Sequence, residues 1–119
     1  MTPLRLFLGL LFAAIVIYTA PVALAYGVNI LPLFFGEIFA MSWQGQFNFD
    51  FFLMLLLSGF WTAWRNEFSP AGLALAVLAV FGGISFLAAY LLTLAIRLDD
   101  DAAAMILGPR RAAALRSGA

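Results

Sequence analysis

Two stretches of this chain carry no charge over a length that a small soluble core does not require: residues 6–25 and residues 71–96. As a helix the first covers roughly 30 Å, the thickness of a bilayer's hydrocarbon core. The second, about 39 Å if straight, exceeds that thickness and is expected to tilt or project. Composition agrees with this reading. Hydrophobic residues make up 66% of the chain and charged residues 10%, where soluble domains carry roughly 45–50% and about 25%. A chain of 119 residues is also too small to hide so much apolar surface from water. The expected fold class is all-α: an integral membrane protein with three transmembrane helices plus a short interfacial helix.

Local signals set the boundaries. Arg5, the apolar run after it and Ala23-Leu24-Ala25 have the pattern of a secretory signal. The uncharged length supports an uncleaved first span over about 6–25, bent near its end by Pro21. A second span is expected over about 49–64, with Asp50 capping its start and Arg65 near its end, each sign matched to the helix dipole. Ser69 is placed to cap the third span, about 71–96, with Pro70 in its first turn. Between the first two spans, about 30–43, apolar residues recur at helical spacing but polar residues and glycines interrupt them. An interfacial helix is expected there, with a re-entrant segment as the alternative. Residues 1–98 form the membrane domain and 99–119 a polar tail, with a helical turn or two over residues 102–107 stopped by Gly108-Pro109.

The residues that are missing exclude much chemistry. All six basic residues are Arg, balanced by six acids, and the chain has no Lys, His or Cys. It therefore offers no Schiff-base lysine, no imidazole or thiolate ligand for a metal or haem, and no disulfide. No catalytic or metal-binding residue is assigned, and no enzyme activity is expected. Without a basic stripe, nucleic acid is not an expected partner.

The candidate functional residues are structural ones. Gly72, Ala76, Ala79 and Gly83 form one small-residue stripe of the third span, and Gly82, Ser85, Ala89 and Thr93 nearly form a second. Such stripes let helices approach closely in lipid. One face serves packing within the chain, and the second is expected to meet a partner subunit. Trp43, Trp61, Trp64 and Arg65 are expected to anchor at the headgroup layer, with Arg65 snorkelling. Thr19, Ser58, Thr62 and Ser85 are the polar side chains available to a mid-membrane pocket. Thirteen Phe, three Trp and three Tyr suit contact with lipid, quinone or pigment. No cofactor is assigned, although Asn29, Gln44 or Gln46 could hold a chromophore.

The run ILPLFFGEIFAMSWQGQFNFDFFLMLLLSGFWTAWR, followed by a proline-started span with GGISFLAAYLL and a closing Arg, resembles a bacterial family of short three-span membrane proteins catalogued only as a domain of unknown function. The resemblance covers roughly residues 6–97 and rests on Gly27, Phe39-Ala40, Phe49-Asp50, Ser58, Arg65 and Gly83. It implies the topology and transfers no site. The function expected is a non-catalytic accessory subunit of a larger, energy-transducing membrane complex, photosynthetic or respiratory. The alternative is a stand-alone small transporter or lipid- or quinone-binding protein. The expected location is the bacterial inner membrane. Three crossings place Arg5 and Arg65 opposite Arg97, Arg110, Arg111 and Arg116, and the first helix favours a cytoplasmic N-terminus.

Overall fold

The computed structural model describes residues 2–118, which are helical apart from short connections. Six helices follow in order: α1 Pro3–Tyr26, α2 Leu31–Phe39, α3 Trp43–Arg65, α4 Pro70–Arg97, α5 Ala102–Leu107 and α6 Pro109–Gly118. Three of them, α1, α3 and α4, are long and apolar enough to cross a membrane. Only 6%, 17% and 11% of their apolar windows is buried within the chain, so hydrocarbon has to cover the rest.

Short polar side chains start the helices by accepting otherwise unpaired backbone N–H groups. Thr2 accepts from Arg5 at 3.2 Å, Ser42 from Gly45 at 3.0 Å and Ser69 from Gly72 at 3.0 Å. Ser69 and Pro70 thus take the places expected of them. Asp50 does not. The second long helix starts at Trp43 rather than near residue 49, so Asp50 lies two turns inside α3 and is exposed, and Ser42 is the cap. The polar residues that read as a connection are helical because they bond to one another and to α2. Gln44 Nε2 donates to Asn48 Oδ1 at 2.8 Å, and Asn48 Nδ2 donates to the Phe34 carbonyl at 3.0 Å. Gly45 permits the crossing, since a Cβ there would collide with the Glu37 backbone.

The largest departure is in α4. Gly83 sits at φ 56°, ψ −138°, inside an otherwise helical run. That conformation breaks the backbone ladder, and an L side chain rarely adopts it. The chain turns back there. Gly72 and Tyr90 would be about 27 Å apart along a straight helix, yet both touch Asn66. A Cβ at Gly72 would lie 2.6 Å from the Asn66 Cβ, and Asn66 Nδ2 donates to the Tyr90 hydroxyl at 2.9 Å. The first limb, residues 70–82, runs back along α3, with Val80 and Ala76 against Gly59. The second, residues 84–97, returns beside α3 and α1: the Tyr90 ring meets Trp61, and Arg5 donates to the Ala95 carbonyl at 3.2 Å. α4 thus lies between α3 and α1, which share no comparable interface of their own.

The reversal resets the helical register, so the two small-residue stripes do not exist as continuous faces. Gly72, Ala76 and Ala79 belong to the first limb, Gly82 and Gly83 to the turn, and Ser85, Ala89 and Thr93 to the second limb. Fully buried Ala79 and Ala88 stand four residues before and five residues after Gly83. Gly83 is required for its backbone angle rather than for close helix approach. The reversal also gathers the arginines at one end. Arg5 pairs with Asp100 at 3.1 Å, and Arg65 donates to carbonyls of α5. Arg97, Arg110, Arg111 and Arg116 follow on the same side, which corrects their expected separation from Arg5 and Arg65.

Gly83→Ala is expected to lower stability by about 1–3 kcal/mol, because alanine must hold a strained backbone angle. Gly9→Ala, at a helical site with nothing within 4 Å of the added Cβ, should be neutral or slightly stabilising. Unfolding of the two variants in mixed micelles checks this. Likewise Ser42→Ala should cost about 1 kcal/mol, and Asp50→Asn should leave the unfolding curve in place.

Candidate functional site

Beyond the turn of α4, toward the Trp43 end of α3, no third long helix fills the space between α1 and α3. A cleft of about 490 Å³ occupies it, within the roughly 300–1,000 Å³ typical of small-molecule sites. Ile15 and Thr19 of α1, Leu31, Phe34 and Phe35 of α2, Phe51, Phe52 and Leu55 of α3, and Val80 to Ser85 of α4 line it. Phe34, Phe35 and Phe52 pack edge to face, with centroids 5.2–6.4 Å apart. That network ties α2 to α3 beside the cleft. The Phe51 ring lies 3.3 Å from where a Cβ would stand on Gly83, so the floor of the cleft is the turn itself.

The polar content of the cleft is small and specific. Of the four hydroxyls considered for a mid-membrane pocket, Thr19 and Ser85 line this cleft, whereas Ser58 and Thr62 do not. Thr62 is buried and donates to the Ser58 carbonyl at 2.8 Å, and Thr93 donates to Ala89 in the same way. Among the described residues Thr19 and Ser85 make no such bond. Both can therefore donate to an oxygen acceptor in the cavity. Breaking a helix in hydrocarbon also frees backbone polar groups, a state tolerated only where they are buried in protein or line a water-filled cavity. Sequence reasoning named Thr19, Ser85 and Gly83 but not Phe34, Phe51 or Phe52. The Gly82-Gly83 pair was the available signal for a break, and the small-residue spacing masked it.

A second groove, about 600 Å³ and almost wholly apolar, lies at the arginine end between α1, α3 and the second limb. The Ser58 hydroxyl is buried beside it without a hydrogen-bond partner among the described residues.

The expected anchors hold the tail instead of only facing headgroups. Arg65 is buried, not snorkelling. Its Nε and Nη2 donate to the carbonyls of Met105 and Ala104, and its Nη1 to the Tyr90 hydroxyl at 3.3 Å. It thereby supplies donors to carbonyls near the end of α5, of which that of Ala104 also accepts from the Gly108 N–H. Trp61 Nε1 donates to the Ile106 carbonyl at 3.0 Å, and the Arg111 guanidinium lies 4.0 Å from the Trp64 ring centre. Trp43 alone of the three tryptophans stays fully open. Pro109 starts α6 rather than ending the helical tail, and Arg116 pairs with Asp101. The hydrogen bond from Arg116, aided by the Ala104 N–H, holds the Asp101 carboxyl below its ordinary range and raises the Arg116 pKa. Glu37 meets only Ser42, at 3.4 Å, among the described residues.

No family model, curated protein or solved structure matches this chain.

Arg65→Lys keeps the charge but loses the planar fork, and is expected to cost about 1.5–3 kcal/mol and loosen α5 and α6. Hydrogen exchange over residues 102–118 reads that directly. Acid should loosen α6 as well. The Asp101 carboxyl is depressed on folding, so its contribution is complete above the unfolded pKa and is lost as pH falls through the folded value. Exchange in α6 should therefore rise only below the ordinary carboxylate range, and Asp101→Asn should abolish the pH dependence.

Proposed function

We propose that this protein is a non-catalytic binding protein of the bacterial inner membrane, with a cytoplasmic N-terminus, that holds an apolar membrane ligand in the aromatic cleft beside Gly83. The ligand class is a lipid chain or an isoprenoid quinone: long, uncharged, and carrying an oxygen that Thr19 and Ser85 can serve. The observation that carries this reading is the cleft itself: its walls are apolar and rich in phenylalanine, and the Thr19 and Ser85 hydroxyls that line it have no acceptor among the described residues. The break at Gly83 forms the floor of that cleft. The absence of Lys, His and Cys from the sequence favours binding over chemistry.

Service as an accessory subunit rested on a spare small-residue face. Folding α4 back divides that face between two limbs and the turn, so lipid or quinone binding becomes the favoured reading.

The test is mass spectrometry of lipid and quinone retained after gentle detergent extraction. The wild-type chain should retain a near-stoichiometric apolar ligand. Ser85→Phe, which fills the cleft, should lower retention at least tenfold, about 1.4 kcal/mol of binding. Leu24→Phe, at a position 90% exposed on α1, should retain it fully. Retention of nothing above bulk detergent, or equal loss in both variants, would sink the proposal. Retention of stoichiometric protein subunits with an empty cleft would return the accessory-subunit reading to first place.

A further inference from the structure

The limbs of α4 are short. Residues 70–82 and 84–97 reach about 20 Å each as helices, well under a hydrocarbon core of roughly 30 Å. The turn between them meets Phe51 and Leu55, near the middle of α3. α1 and α3 continue past that level, and only α2 and the cleft lie between them there. The packed core lies wholly on the other side of the turn, around Leu94, Ala95 and Met105. All six arginines also lie at that end, whereas the connection between α1 and α3 has none. Arginine excess marks the cytoplasmic side.

We infer that the chain crosses the membrane twice, with α4 a re-entrant hairpin entering and leaving on the cytoplasmic side, and that the cleft takes an ester-linked acyl chain from the non-cytoplasmic leaflet. This rests on the lipid-binding reading above and adds its sidedness. The hairpin stops half way, so the volume a third crossing would fill in the far leaflet is left to hydrocarbon. Chains of the far leaflet are the ones at that depth. Thr19, two turns from the outer end of α1, lines the cleft on that leaflet's side. The nearly all-apolar groove beside Ser58 lies at the opposite depth and offers the control.

The sequence has no cysteine, so single cysteines at exposed positions report sidedness without background. Asn29→Cys, Glu67→Cys and Ser117→Cys are to be labelled with an impermeant maleimide in sealed vesicles of each orientation. Asn29 should react only in right-side-out vesicles, and Glu67 and Ser117 only in inside-out ones. Reaction of Glu67 and Ser117 from opposite sides, as three crossings require, overturns the hairpin. Occupancy is then read on the unaltered chain, with diazirine-tailed phosphatidylcholine exchanged into one leaflet. Lipid in the non-cytoplasmic leaflet should cross-link to Phe51 and Ser85 at least fivefold more than to exposed Leu24. Equal adducts from either leaflet, or adducts confined to the Ser58 groove, overturn the leaflet assignment. Either failure with a ligand still co-purifying leaves the binding function standing, whereas loss of all retained ligand removes that function first.

Discussion

Everything distinctive in this fold depends on one constraint: a backbone inside hydrocarbon must satisfy its own hydrogen bonds. An unbroken 28-residue α4 would do so and project beyond the bilayer core. The chain instead breaks at Gly83, and two consequences follow. The limbs double the number of helices at the arginine end, which is where Thr62, Ala63, Ala88 and Ala95 become buried. The other half is left with two long helices, one short one and a cavity. Gly82 tightens the turn further, since a Cβ there would lie 2.6 Å from the Phe86 Cβ.

The doubled end is closed by polar contacts that a lipid-facing bundle rarely collects in such number. Arg65 is buried without a carboxylate among the described residues, a costly position for a cation. The carbonyls of α5 offset that cost, because they are concentrated acceptors at a helix end and negative by the helix dipole. Gly108 makes the approach possible, as a Cβ there would lie 2.7 Å from the Arg65 carbonyl. Arg5 to Asp99 and Asp100, Arg110 to Glu67 and Arg116 to Asp101 add further ion pairs around the same end. Apart from the half-buried Arg5–Asp100 pair, each has an exposed member and contributes little singly. Together they fix where the tail lies, and the tail in turn supplies Met105 to the core.

Hydropathy and helix signals made most of the fold legible. Uncharged length identified α1 and α4, and Ser69-Pro70 located the start of α4. Where the reading failed, a long-range contact replaced a local rule. Asp50 looked like a cap because the polar run before it looked irregular, but Asn48 binds the Phe34 carbonyl and Ser42 takes the capping role. Arg65 looked like a snorkelling anchor because its α5 acceptors lie some forty residues away in sequence. The small-residue stripes assumed that Ala79, Gly82, Gly83 and Ser85 share one helical register. No local pattern distinguishes a glycine used for close approach from one used for positive φ, and that ambiguity concealed the hairpin and the cleft.

The same break divides this small protein into a tightly packed end and a loosely packed one. Loosely packed regions open locally at little cost to the whole, and the two ends differ sharply in packing. α1 is tied at its Arg5 end, while Tyr18, Leu24 and Tyr26 farther along are 74–90% exposed. α2 is tied to α3 through Asn48 and Gly45 and has no comparable interface with α1. The seam between α1 and α2 is therefore a sparsely packed wall of the cleft, on the opposite side of the turn from the core and the arginine contacts.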